Sequence, residues 1–198
     1  MIESLTGSVV SVNPGAVVLE VGGVGYRVSI SLAVFGRLQA TATGERVRLL
    51  TELCWNEKTG PSLFGFQEEA ERSVFRLLLC GSGVGPKLAL AALSVLEPAE
   101  LLAALAGGDL VKLTRVPGIG RKRAEKLCVE LKDRAAELAA TLGVSAAAPT
   151  RSDAVAALVS LGYVQRDAEV AVERARAELG EEAELRAVIT TALGRLRG

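Results

Sequence analysis

The sequence predicts an α+β chain of several domains: an N-terminal β-barrel, a central all-α domain and a C-terminal three-helix domain. Three observations carry this prediction. Apolar residues alternate with period two as far as about residue 66 and then take the 3.6-residue period of helices. A glycine turn followed by a basic residue occurs twice in the helical part, 35 residues apart. A run of small residues with one proline at 143–152 then breaks the pattern, as a linker does.

Within residues 1–66, "YRVSI" places Tyr26, Val28 and Ile30 on one face, and "RVRLL" turns Arg46 and Arg48 away from Val47 and Leu49. Turn chemistry punctuates the segment at "NPG" (13–15), "GG" (22–23) and "NEKTGP" (56–61), which leaves room for about five strands. Five short strands in so few residues close most economically into a small barrel of the oligonucleotide-binding (OB) type.

The next segment, 67–142, is helical and internally repeated. Ala89, Ala92, Leu93 and Leu96 stand at i, i+3, i+4 and i+7, and adding 35 gives Ala124, Leu127, Cys128 and Leu131 at the same positions of a second helix. Before each helix lies a turn, "GVG" at 83–85 and "GIG" at 118–120. Glycine there allows both unusual φ values and close approach of the backbone to an outside object. The helix that follows presents unpaired N–H groups and its positive dipole end to that object, so each turn is a candidate anion site. Lys87 and Lys122 add a cation at equivalent places, and Arg121 and Arg123 add two more in the second copy. Between residues 112 and 126 six basic residues face one acid, Glu125.

That local patch matters because the whole chain is neutral, with 23 Lys+Arg against 23 Asp+Glu. A polyanion must therefore be held locally, by phosphate contacts that position without reading bases. A nucleotide-binding P-loop is excluded: "GSGVGPKL" lacks its spacing and its hydroxyl and follows a helical pattern. The chain has no histidine, and its three cysteines (Cys54, Cys80, Cys128) have no CxxC spacing, so disulfide, zinc and Ser-His or Cys-His chemistry are poor readings. No catalytic residue, metal or cofactor is expected. "MIESLTG" carries an acid where a signal peptide has basic residues, and the apolar run at 88–96 is too short to span a bilayer. A soluble cytoplasmic protein with no membrane partner is the expectation.

After the linker, residues 153–198 form a helical trio with turns at 161–163 and near Gly180. Its apolar residues around Leu158, Leu161 and Tyr163 are the candidate partner-docking surface, although core packing competes for each.

The strings "LEVGGVGYRV", "LFGF", "GSGVGPKLALAALS", "LTRVPGIGRKRAEKLCVELKDR" and "AVAALVSLGY", in this order and spacing, resemble the RuvA family over essentially the whole chain. The resemblance implies a barrel (1–66) that builds a flat homotetramer around the junction centre and a tandem helix-hairpin-helix domain (67–142) that holds the arms of a four-way (Holliday) DNA junction. It further implies a mobile three-helix domain that docks the AAA+ motor RuvB, with the RuvC resolvase as a further partner. Whether one tetramer or two face-to-face tetramers hold the junction stays open. Carried over by position, the phosphate-contacting residues are Gly83, Gly85, Lys87, Gly118, Gly120, Arg121 and Lys122, with Arg123 beside them. Family members often place two adjacent acids in the loop before "GF", a central pin that separates strands. Here the loop reads "WNEKTGPS", about one residue longer, so Glu57 is the pin candidate and the second acid is missing.

Three function classes follow: a non-catalytic junction-binding factor, a helix-hairpin-helix nuclease or glycosylase, and a protein-interaction adaptor. The enzyme needs clustered carboxylates or a catalytic Lys or Asp beside the second hairpin. Asp133, thirteen residues past Gly120, is the acid nearest to that requirement.

Overall fold

The computed structural model describes residues 2–41, 43–58, 60–143, 151–160, 163, 165–179 and 185–196. The chain divides into two compact units, residues 1–143 and 144–198.

The first unit opens with five strands, β1 (Ser4–Asn13), β2 (Ala16–Val21), β3 (Val24–Ile30), β4 (Arg46–Asn56) and β5 (Gly60–Phe66), closed into a barrel of order β1-β2-β3-β5-β4. All neighbours are antiparallel except β3 and β5, which run parallel from Val28↔Leu63 to Ile30↔Gly65. Alternation does what period two requires: Val28 and Ile30 point inward with Val17, Leu19 and Leu49, while Arg46 and Arg48 face out. One element was not expected. Helix α1 (Leu32–Leu38) fills the β3–β4 connection, started by Ser31, whose Oγ accepts from the Val34 N–H at 3.2 Å, and it plugs the barrel with Val34 and Leu38.

Five helices complete the unit: α2 (Glu69–Leu79), α3 (Pro86–Val95), α4 (Pro98–Gly107), α5 (Leu110–Thr114) and α6 (Arg121–Thr141). All eight repeat positions are buried as the 35-residue offset requires: Ala89, Ala92, Leu93 and Leu96 on α3 and its C-cap, and Ala124, Leu127, Cys128 and Leu131 on α6. The barrel is welded to this helical core rather than tethered to it. Phe64 and Phe66 at the end of β5 pack on Phe75 of α2, with ring centroids 5.2 and 4.9 Å apart. Ion pairs ring the seam: Arg72 with Glu3 at 3.0 Å, Arg76 with Glu52 at 2.5 Å, and Arg37 with the buried Glu71. Glu71 also accepts from the N–H groups of Gln67 and Glu68, so its buried charge is fully engaged.

The second unit packs α7 (Arg151–Ser160), α8 (Gln165–Leu179) and α9 (Leu185–Leu196) as the expected trio. Helix α7 begins two residues inside the segment expected to be linker. Among the described residues, five of the eight buried core positions are alanine (154, 168, 171, 175 and 192), so this core is built largely from small side chains with little apolar area each.

Candidate nucleic-acid interface

The two turns are copies in three dimensions. Gly83 and Gly118 take φ +77° and +92°, a region costly for any other residue, and Gly85 and Gly120 cap the next helices at φ/ψ −96°/170° and −82°/170°. Each turn is closed by one backbone bond, from the Val84 N–H to the Gly81 carbonyl at 3.1 Å and from the Ile119 N–H to the Val116 carbonyl at 2.9 Å. Val84 and Ile119, the residues between the glycines, are buried and anchor the turns to the core.

What distinguishes these turns is how the following helices start. Helix α5 is capped by the Asp109 carboxylate, which accepts from the Lys112 N–H at 3.0 Å, and α2 and α4 carry the capping boxes Glu68/Glu71 and Glu97/Glu100. With α1 capped by Ser31, four of the six helices in this unit satisfy their own first turn. The exceptions are α3 and α6, which have glycine caps, no capping side chain and no acid in the first turn. Their N–H groups and positive dipole ends are left for an external anion.

The cations sort by partner. Lys87 and Lys122 are exposed and make no ion pair among the described residues. Arg121 pairs with Glu125 at 3.1 Å, Lys126 with Glu130 at 3.6 Å and Lys112 with Asp109 at 3.9 Å, so the patch of six carries less free charge than its count implied. Arg123 turns back to donate to the Gly118 carbonyl, and its Nε lies 3.9 Å from where a Cβ on Gly83 would stand. It braces the second turn against its own helix.

A second brace escaped sequence reasoning. Glu130 of α6 accepts from both the N–H and the hydroxyl of Ser82, at 2.8 and 2.7 Å, tying the first turn to the second hairpin's helix. Those two bonds, with Lys126 adding to them, hold the Glu130 carboxyl below the ordinary carboxylate range. Gly81 makes the approach sterically feasible: a Cβ there would lie 2.4 Å from Leu127 Cδ2 and 3.3 Å from Leu131 Cδ1. No local pattern links Ser82 with Glu130, 48 residues apart.

Glu57 stands exposed at the β4–β5 tip, where the Lys58 N–H donates to Asn56 Oδ1 at 2.9 Å in an Asx turn. The expected docking trio fares differently. Leu158 is fully buried in the core of the second unit and cannot meet a partner, because its apolar side chain already packs between helices. Leu161 lies outside the described residues. Tyr163 is half-buried and donates its N–H to the Leu158 carbonyl at 3.2 Å. Burial pushes the Cys54 and Cys128 thiols up, with Glu52 and Asp109 adding, which disfavours the thiolate a nucleophile needs. Asp133 sits on the exposed side of α6. No single helix among the described residues is long and apolar enough to cross a membrane.

A closed OB-like barrel welded to two uncapped hairpin turns defines a DNA-binding architecture of tandem helix-hairpin-helix type. Comparison with known families narrows it. The family described as "RuvA N terminal domain" matches residues 1–65, "SAM-like Helix-hairpin-helix tandem" matches 75–133, and "RuvA, C-terminal domain" matches 149–197. A protein of Thermobifida fusca, named Holliday junction branch migration complex subunit RuvA, is 43% identical over 203 residues, covering 99% of this chain and 98% of its own. Proteins of the same name from Opitutus terrae and Methylibium petroleiphilum are 43% and 41% identical, covering 98% and 91% of this chain and 100% and 93% of their own. The chain belongs to the RuvA family.

Proposed function

We propose that the chain is a non-catalytic subunit that binds four-way (Holliday) junctions without regard to sequence, holds them open and planar, and positions the RuvB AAA+ ATPase for branch migration in recombination and repair. The observation that carries the binding reading is the contrast among helix starts: four are capped from within, while the two hairpin helices present bare N–H groups beside Lys87 and Lys122. Such contacts grip phosphates and ignore base identity. In this reading the barrel (1–66) serves oligomerisation and the junction centre, as a homotetramer or a pair of tetramers, and 67–142 holds the arms. Glu57 acts as the pin. Residues 143–152 are the linker, and 153–198 dock the motor through a surface that includes Tyr163 and not Leu158. The place of work is the cytoplasm, alongside the RuvC resolvase.

The test is a gel-shift comparison of a synthetic four-way junction with linear duplexes of the same arm sequences, together with sizing of the free protein. Tighter binding to the junction, equal for unrelated sequences, is expected. Equal affinity for junction and duplex would overturn the reading. A fragment ending at Gly143 is expected to bind junctions like the full chain and to lose stimulation of branch migration by the motor.

A further inference from the structure

Trp55 is the chain's single tryptophan and, at 72% exposure, is left largely in water one residue before the end of β4. Folding recovers little from an indole placed so, and the barrel alternation offers no reason for one on this face. Its surroundings do offer one. Trp55 lines a groove of about 380 Å³ together with Asn56 on the pin side and Gly85, Pro86 and Lys87 of the first hairpin turn on the other. An aromatic face thus shares one groove with an unpaired cation and an uncapped helix start. Proteins that hold unpaired nucleic acid use this combination, charge for the phosphate and a ring for the base, and it tolerates any sequence because every base has a π-face.

We infer that Trp55 is a stacking platform for a base at the junction crossover, where strands leave one duplex for another and bases lose a stacking neighbour. The inference rests on the junction-binding reading and deepens it. The same hairpin that lacks the second acid of the family pattern carries, two residues before Glu57, a ring able to hold an opened base.

Because no other tryptophan exists, intrinsic emission reports this site alone. The full chain is titrated with a four-way junction, a linear duplex and the junction with 2-aminopurine at the crossover, binding being followed in parallel by gel shift. Quenching of Trp55 by the junction, saturating with binding and weaker for duplex, is expected, with a matching change in the 2-aminopurine signal. Trp55→Ala should lose about 5-fold to 150-fold in junction affinity, the range that loss of one base–aromatic stack gives, and Trp55→Phe should recover most of it. Duplex affinity should hold in both variants, since Lys87 and Lys122 are untouched. Junction binding with unchanged emission and a wild-type Trp55→Ala would overturn the inference while leaving the junction reading intact. So would a blue-shifted emission that depends on protein concentration without DNA, which would bury Trp55 between copies. Failure of the wild-type chain to prefer junctions would remove both.

Discussion

Replacing Lys87 and Lys122 together with Ala removes one unpaired cation from the start of each hairpin helix and leaves every capped helix, both turns and the core untouched. Each phosphate contact contributes about 0.9 to the slope of log affinity against log salt, so two lost contacts make the slope shallower by about 1.8 per protomer. Between about 50 and 200 mM salt, a fourfold rise, the gap between wild type and variant should then close by roughly 12-fold for each protomer engaged on the junction. Anisotropy of labelled junctions of two unrelated sequences, measured across that range, reads it directly. The geometry supplies an internal control: Arg121 is held by Glu125 at 3.1 Å, so Arg121→Ala should change the slope less than Lys122→Ala does. An unchanged slope in the double variant, or a loss confined to one sequence, would refute the phosphate-grip argument.

Gly81→Ala should destabilise the first unit by about 1–3 kcal/mol in urea unfolding, because a Cβ 2.4 Å from Leu127 Cδ2 overpacks a site that Leu131 closes from behind. Glu130 has a folded pKa below the ordinary value of 4.5, so its bonds to Ser82 stabilise the fold above that value and fail as pH falls through the lower one. The Tm difference between wild type and Glu130→Gln should accordingly be constant above about pH 5 and shrink toward pH 3; a difference that grows in acid would reverse the sign of this argument. At the tip, Glu57→Gln should raise duplex affinity more than junction affinity and Lys58→Glu should do the reverse, by a few-fold at low salt, since a charge facing a phosphate at about 4 Å is worth on the order of 1 kcal/mol in water and is screened beyond about 10 Å. An unchanged ratio at low salt would make the tip acid a surface ornament.

Much of this was legible in the chain because the signals are local. Period two gave the barrel strands, the 3.6 period with its 35-residue echo gave eight buried positions on two helices, and the glycine pairs located both turns with their positive φ. Other features depend on residues that meet only after folding. Counting charges between 112 and 126 overstated the free patch, because Asp109 and Glu130, just outside that window, neutralise Lys112 and Lys126. Helix α1 was hidden in a seven-residue stretch too short for a period to declare itself, started by Ser31 alone. Leu158 fits a docking surface and a core equally well by sequence, and burial decided for the core. The Ser82–Glu130 brace and the exposure of Trp55 had no signal at all.

The neutral total charge and the phosphate grip are consistent once the acids are located. In the first unit, Glu3, Glu52, Glu69 and Glu71 are spent on the arginines of α1 and α2 at the seam between barrel and helices. The two hairpin helix starts carry no acid in their first turns, so a phosphate approaching either one meets exposed Lys87 or Lys122 without a competing carboxylate on that turn. Barrel and hairpins share one compact unit, with Phe64 and Phe66 of β5 locked on Phe75 of α2, so the Glu57 tip, Trp55 and the first turn keep a fixed spacing. In the proposed reading, this fixed spacing makes a non-specific phosphate grip a shape selector: a ligand has to place phosphates at both turns and an open crossover at the tip at once, and a continuous duplex that satisfies the first condition meets the Glu57 carboxylate at the second.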